Sequence, residues 1–151
     1  MRIPAEPILQ RLIAFVAALG LGVATYIAIA DAGGGAPACL AGGSGCQTVA
    51  DSSYSHLAGI NVAVLGIVAY ALLLASAFLV NDAARFGGFL VGLVGFGFSV
   101  YLTYIELFKI EAVCQWCVAS ALLMTILFLL SATRLIGFAG ADGGSLAVDE
   151  T

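Results

Sequence analysis

Residues 86–105 read FGGFLVGLVGFGFSVYLTYI and contain no Asp, Glu, Lys or Arg. A helix needs about 20 mostly apolar residues to cross the hydrocarbon core of a membrane, so this stretch is long enough to do so. Three further stretches have the same character, namely residues 12–30, 57–80 and 117–133. Their apolar residues run continuously instead of alternating, which argues against the strands of a membrane β-barrel. The sequence therefore predicts an all-α membrane protein, a bundle of four transmembrane helices.

The composition of the whole chain agrees with this prediction. Apolar residues make up 62% of the 151 residues, and charged residues only 9%. An ordinary soluble domain carries about 25% charged residues. Part of the formal net charge of −4 comes from Asp149 and Glu150, close to the C-terminus. Because the chain has no basic cluster, nucleic acid is not an expected partner, and lipid is the expected surrounding.

Basic residues are distributed unevenly among the connections between the predicted helices. All but one lie before the first helix, in the turn 81–85 or after the fourth helix; these are Arg2, Arg11, Arg85 and Arg134. Since cytoplasmic connections are enriched in Lys and Arg, both termini and this turn are predicted to be cytoplasmic. The long segment 31–56 and the short segment 106–113, which holds Lys109, then face outward.

The first predicted helix has a rival interpretation. Arg2 and Arg11, the apolar run and the sequence Ala28-Ile29-Ala30 together resemble a signal peptide with its cleavage site. The apolar core of such signals is about 7–15 residues long. The run in this chain is longer, which favours a retained helix.

Residues 1–139 are predicted to form one membrane domain, and the Gly-rich polar residues 140–151 a disordered cytoplasmic tail. Gly88 and Gly92, four residues apart on the third helix, form a small-residue pair that lets another helix come close. The acidic residues of the short outward segment, Glu106 and Glu111, are expected to be solvated.

The four cysteines form two pairs on the predicted outward side. Cys39 and Cys46 flank a Gly-rich turn, and Cys114-Gln115-Trp116-Cys117 is a Cys-x-x-Cys at the start of the fourth helix. The outward side is the oxidising one, where disulfides persist. At a helix N-terminus the dipole and the unpaired amides favour a thiolate, the species that attacks a disulfide. The pattern therefore indicates redox-active cysteines.

Two plainer interpretations remain open at this point. The cysteines can form two inert structural disulfides, or all four can bind one zinc ion. A Cys-x-x-Cys is a usual half of a zinc site. The six residues between Cys39 and Cys46 are less typical of the other half.

The order of these features resembles the vitamin K epoxide reductase family. It consists of a loop cysteine pair, then Ser52-Ser53, helices two and three, and a Cys-x-x-Cys that opens helix four. The resemblance covers nearly the whole chain. It implies a four-helix bundle around a pocket for a quinone, menaquinone or ubiquinone. It also implies an enzyme that passes electrons from a thiol protein to this quinone and supports disulfide formation in exported proteins. The expected location is a bacterial cytoplasmic membrane, with the active site on the extracytoplasmic side.

The resemblance assigns roles to individual residues. Cys39 is similar to the outer loop cysteine that meets the partner protein, and Cys46 to the inner one that exchanges with Cys114. Cys117 is similar to the cysteine that faces the quinone ring. Ser52 falls where the family has a serine important for the loop and the quinone site, and the adjacent Ser53 is its alternative.

Other quinone contacts differ from the family's pattern. Asn61 and Trp116 are candidate contacts, and Asn61 lies near a quinone-contacting Asn of the animal enzymes. Those enzymes have a Tyr where this chain has Ala121. This departure argues against vitamin K epoxide as the natural substrate.

The resemblance also bears on the partner. Many bacterial members carry a fused thioredoxin-like domain, and this chain ends at Thr151 without one. The expected partner is therefore a separate thioredoxin-like (DsbA-like) protein. Two alternative functions are a DsbB-type disulfide-generating enzyme and a non-enzymatic membrane scaffold with structural disulfides. DsbB-type enzymes carry the Cys-x-x-Cys in the first outward loop, so their order of cysteine pairs is reversed.

Overall fold

A computed structural model describes the backbone of residues 6–40 and 43–149 and the side chains of residues 7–40 and 43–137. Most of this part of the chain is helical, and the short strands β1 and β2 pair to form a small antiparallel ribbon. The elements are, in chain order, α1 (Glu6–Ala32), α2 (Gly45–Ala50), β1 (His56–Leu57), β2 (Ile60–Asn61), α3 (Val62–Phe78), α4 (Asp82–Ile105) and α5 (Gln115–Asp149).

The four long helices pack into one bundle. Helix α1 contacts α3 and α5, and helix α4 contacts the same two helices. Gly88 packs against Ser76 of α3, and Gly92 packs against the backbone of Phe128 in α5. The predicted close approach at these two glycines is therefore confirmed. The largest fully buried side chains are Tyr70, Ile13, Leu73, Leu127 and Cys114.

One end of the bundle is closed by a buried arginine. The guanidinium of Arg134 donates hydrogen bonds to the carbonyl oxygens of Ser76, at 3.0 Å, and Leu79, at 3.1 Å, where α3 ends. The next helix begins at once, because the Asn81 side chain accepts a hydrogen bond from the Ala84 N–H at 2.7 Å. We call this end, defined by Arg134 and Asn81, the arginine end.

In the part of the chain that the structure describes, three helical segments are long and apolar enough to cross a membrane; they are Pro7–Ala32, Asp82–Ile110 and Gln115–Gly137. The predicted second span, residues 57–80, is shorter in the structure. Residues 56–61 form the ribbon, where Gly59 adopts a φ of 83°, and Asn61 caps the helix that starts at Val62. The resulting 17-residue helix is at the lower limit of about 17–25 residues for a span. A fourth crossing thus stays a prediction.

The backbone of α5 is helical to Asp149. The disordered tail expected from residue 140 stays a prediction. Arg2, Glu150 and Thr151 lie outside the described residues, and the domain limit at residue 139 stays a prediction.

Candidate functional site

The loop pair of cysteines is joined covalently. Cys39 and Cys46 form a disulfide with their Cα atoms 6.0 Å apart. Cys46 lies in the first turn of α2 and is buried, with 2% of its surface exposed. Cys39 is half-buried, and the adjacent Leu40 is 78% exposed. One cysteine of the disulfide therefore lies close to the outer surface and the other faces the interior.

The second pair consists of free thiols at the start of α5. The carbonyl of Cys114 accepts a hydrogen bond from the Val118 N–H at 3.0 Å, so the helix begins at the Cys-x-x-Cys. A hydrogen bond from the Cys117 side chain outweighs the opposing effect of burial and lowers the pKa of Cys114 from 9.0 to about 7. Near neutral pH, Cys114 is therefore partly a thiolate, and Cys117 holds the remaining proton.

The two cysteine pairs meet where α2 packs against the segment that leads into α5. Gly45 lies directly against the backbone carbonyl of Val113, and a Cβ at this position would overlap that carbonyl. Cys46 and Cys114 each follow one residue later, and both line the same cavity. A contact that requires glycine thus brings the four predicted cysteines to one end of the bundle, which we call the cysteine end.

A second contact fastens the loop to the Cys-x-x-Cys. The indole Nε1 of Trp116 donates a hydrogen bond to the carbonyl of Ala38 at 2.7 Å, and the Ala38 N–H donates to the Tyr26 hydroxyl at 3.1 Å. The rings of Tyr26 and Trp116 lie 4.9 Å apart. Since Ala38 precedes Cys39, Trp116 positions the loop disulfide. Among the described residues, Trp116 is not one of those that line the cavity.

A largely apolar cavity of about 660 Å³ lies beside the cysteines. Its wall includes Cys46, Cys114, Cys117, Ser52 and Asn61, and most of the remaining lining is aliphatic or aromatic. Pockets for small molecules typically measure about 300–1,000 Å³ and are mostly apolar with a few polar groups. The cavity therefore has the size and chemistry of a site for an apolar ring.

The structure separates the two adjacent serines. The Ser52 hydroxyl donates a hydrogen bond to the Val49 carbonyl at 2.6 Å, and the Ser52 carbonyl accepts one from the Ser55 hydroxyl at 2.9 Å. Ser52 is half-buried and lines the cavity, whereas Ser53 is exposed. Asn61 also lines the cavity, and its Oδ1 accepts a backbone N–H of α3 at 2.7 Å. The position of Ser52 thus suits a role at the cavity better than that of Ser53.

A small polar cluster ties the end of α1 to the ribbon. Nε2 of His56 lies 3.5 Å from a carboxylate oxygen of Asp31, and its Nδ1 lies 2.9 Å from the Ser55 hydroxyl. Asp31 and Ser55 belong to the cavity wall. The cluster therefore borders the cavity.

The expected solvation of Glu106 is wrong, because this residue is buried. Only 6% of its surface is exposed, and it lines the cavity, while Glu111 is exposed as expected. A π-helix, Glu106–Ile110, continues α4 instead of a solvated loop. The carboxylate accepts the Cys114 N–H at 3.4 Å and interacts with the Cys117 side chain in the same cavity wall. An acidic residue that directly follows a long apolar run is the sequence signal that could have identified it.

Tyr70 is a second residue that the sequence did not single out. It is fully buried, lines the cavity, and hydrogen-bonds the carbonyl and the hydroxyl of Ser120, both at 2.8 Å. Gly20 of α1 lies against its ring, where a Cβ would overlap it. The phenol therefore fixes α3 against α5 one turn after Cys117.

Comparison with known families gives one match. Residues 11–132 match the family model described as Vitamin K epoxide reductase family. The matched range contains all four cysteines and the cavity residues discussed above. No curated protein matches the chain.

Proposed function

The chain belongs to the vitamin K epoxide reductase family, a family of membrane thiol–disulfide redox enzymes, and we propose that it oxidises a thioredoxin-like protein and delivers the electrons to a quinone. The partner is a separate DsbA-like protein, and the enzyme supports disulfide formation in exported proteins. It resides in the bacterial cytoplasmic membrane with its cysteine end on the extracytoplasmic side. Arg11, Arg85 and Arg134, on the other side of the predicted topology, support this orientation.

The observation that carries this proposal is the gathering of both cysteine pairs around one apolar cavity. Cys39 lies towards the outer surface, where a partner protein can reach it, and Cys46 lines the cavity together with Cys114 and Cys117. This order of burial supports a path for electrons from the surface to the cavity.

The path consists of two thiol–disulfide exchanges. A thiolate of the partner attacks Cys39, the Cys39–Cys46 bond breaks, and the second partner thiol resolves the mixed disulfide, which leaves both loop cysteines reduced. Cys46 then attacks Cys114 of an oxidised Cys114–Cys117 pair and releases Cys117. Cys39 finally attacks Cys46, which restores the loop disulfide and leaves Cys114 and Cys117 as thiols.

The residues around the cavity fit a quinone. The apolar wall suits the ring and the start of a lipid tail, and Ser52 and Asn61 supply polar groups in the wall that also includes Cys117. A bound quinone supplies an acceptor for two electrons and two protons. In this scheme Trp116 acts on the loop through its hydrogen bond to Ala38, and its contact with the quinone ring stays a prediction.

The plainer alternatives have less support. A scaffold with two structural disulfides does not need a free Cys114–Cys117 pair beside a cavity. The Cys39–Cys46 bond uses two of the four thiolates that an all-cysteine zinc site requires. The family match disfavours a DsbB-type enzyme, in which the order of the pairs is reversed.

The Cys39→Ala variant tests the path. Without Cys39, the Cys46–Cys114 bridge cannot be resolved, so it should accumulate when the protein is oxidised in its membrane. Peptide mapping under non-reducing conditions identifies the bridge, and a reduced thioredoxin-like protein should no longer drive quinone reduction. A dominant Cys46–Cys117 bridge would exchange the roles of Cys114 and Cys117. Absence of any bridge between the pairs, with quinone reduction intact, would refute the path.

A further inference from the structure

We propose that Glu106 is a catalytic residue that accepts the proton of the Cys117 thiol when the Cys114–Cys117 disulfide forms and returns it when that disulfide is reduced. This inference rests on the proposed function. It concerns the handling of protons, which the four cysteines alone do not explain.

The position of Glu106 is the first argument. Its carboxylate is buried, accepts the Cys114 N–H at 3.4 Å, and lines the same cavity wall as Cys117, with whose side chain it interacts. None of the ion pairs found among residues 7–40 and 43–137 involves it. Burying a carboxylate without a cation is expensive, and ionisable groups at such depth are usually functional.

The backbone around Glu106 is the second argument. Its carbonyl accepts hydrogen bonds from the N–H groups of Glu111 and, at 3.1 Å, of Ala112, which ends the π-helix. Segments of π-helix inside α-helices occur frequently at functional sites. The Glu106 carbonyl thus ends the π-helix, and the Glu106 carboxylate accepts the backbone N–H of Cys114, so the carboxylate is held at the start of the Cys-x-x-Cys.

The proton balance is the third argument. Two thiols that close to a disulfide lose two electrons and two protons, and the quinone is the final acceptor of both. Because the pKa of Cys114 is about 7, much of the first proton has already left near neutral pH. The second proton is on Cys117, and it passes from Sγ to the Glu106 carboxylate. In the reverse direction Cys117 leaves as a thiolate and takes this proton back.

The other titratable groups do not replace Glu106. Cys46 faces the pair from α2 but is held in a disulfide. Asp31 and Tyr70 line the same cavity, yet Asp31 pairs with His56 and the Tyr70 hydroxyl bonds Ser120. In the described part of the chain, Glu106 is the carboxylate bonded to the Cys-x-x-Cys.

The experiment uses two half-reactions of the full chain in a background with Cys39→Ser and Cys46→Ser. Dithiothreitol reduces the Cys114–Cys117 disulfide in the absence of quinone, and menadione reoxidises the pair. Both are followed by acid quenching, alkylation and mass spectrometry of the free thiols. Glu106→Gln should slow both steps about 100-fold at neutral pH, the range of a general acid–base group. The matched control Glu111→Gln, at an exposed position, should leave both rates unchanged.

Two further variants distinguish proton transfer from a structural role. Glu106→Asp keeps a carboxyl group and should retain much of the rate. Added formate should raise the rate of Glu106→Ala at least tenfold, because a small acid can enter the vacated space. If Glu106→Asp is as slow as Glu106→Gln, and formate does not raise the rate of Glu106→Ala, the role of Glu106 in proton transfer is refuted.

The design also separates the two proposals. Equal rates of Glu106→Gln and the parent in both half-reactions would refute the role of Glu106, while menadione reduction by the parent would leave the proposed function intact. If the parent reduces no menadione or ubiquinone analogue, the proposed function fails. The rate of reduction by dithiothreitol then still tests the role of Glu106, since this half-reaction requires no quinone.

Discussion

The two ends of the bundle are built differently. At the arginine end, Asn81 caps the start of α4 and Arg134 satisfies the carbonyls at the end of α3. At the cysteine end the backbone is irregular, with a 3₁₀ turn, a ribbon, a π-helix and left-handed conformations at Ala58 and Glu111. Backbone strain tends to concentrate at functional sites, and locally weak segments are the ones that move. We infer that the arginine end supplies stability and the cysteine end supplies chemistry.

The strongest test of this division is Arg134→Met. The variant removes two charge-assisted hydrogen bonds, one to the buried carbonyl of Ser76 and one to the carbonyl of Leu79. We therefore expect a loss of about 3 kcal/mol in the free energy of unfolding, measured by denaturation in detergent. Thiol exchange in the folded fraction should not change. Lys109→Met, at an exposed position near the cysteine end, is the control. Unchanged stability with lost exchange would contradict the division.

A change at the other end should have the opposite pattern. Gly45→Ala places a methyl group against the Val113 carbonyl and pushes α2 away from the Cys-x-x-Cys. Misplacement of reacting groups by about 1 Å can cost about 100-fold in rate, so transfer from Cys46 to Cys114 should slow by that order. Gly43→Ala, where the added methyl meets only ordinary contacts, should react at the parent rate. Equal rates for both variants would show that this contact does not set the exchange.

The smallest expected effect concerns one hydrogen bond within the cysteine end. Cys117→Ala removes the donor that favours the Cys114 thiolate, so the pKa of Cys114 should rise from about 7 by at least about one unit, or 1.4 kcal/mol. The thiolate then appears only at higher pH, which ultraviolet absorbance of the thiolate records. Cys117→Ser keeps a donor and should shift less. An unchanged midpoint in Cys117→Ala would assign the low pKa to the helix terminus alone.

The parts of the molecule that the sequence predicts well depend on local patterns. Long apolar runs specify helices wherever they occur, and the small pair Gly88 and Gly92 specifies a close helix contact. The position of the Cys-x-x-Cys at the start of α5 follows from the place where the fourth apolar run begins. The exception is the second run, where Gly59 and Asn61 shorten the helix and extend the loop.

The parts that the sequence does not predict depend on distant contacts. Glu106 is an intermediate case: its place directly after a long apolar run marks it, but the π-helix and the contact with the Cys114 N–H, which accompany its burial, appear only in the folded chain. Trp116 is predicted from the sequence as a contact of the quinone ring. In the structure its indole N–H donates a hydrogen bond to the carbonyl of Ala38, which is far away in the sequence. The contact of Gly45 with Val113 likewise appears only once both segments are folded.

The indole of Trp116 also gives the protein an intrinsic fluorescent probe. It is the single tryptophan of the chain, it lies between the two cysteines of the Cys-x-x-Cys, and its N–H is bonded to the loop at Ala38. Any movement that detaches the loop breaks this bond, whereas Tyr26 of α1, whose ring lies 4.9 Å from the indole, does not belong to the loop. The emission of the unlabelled protein therefore reports the position of the loop, and its time course during turnover would show whether loop movement or electron transfer limits the enzyme.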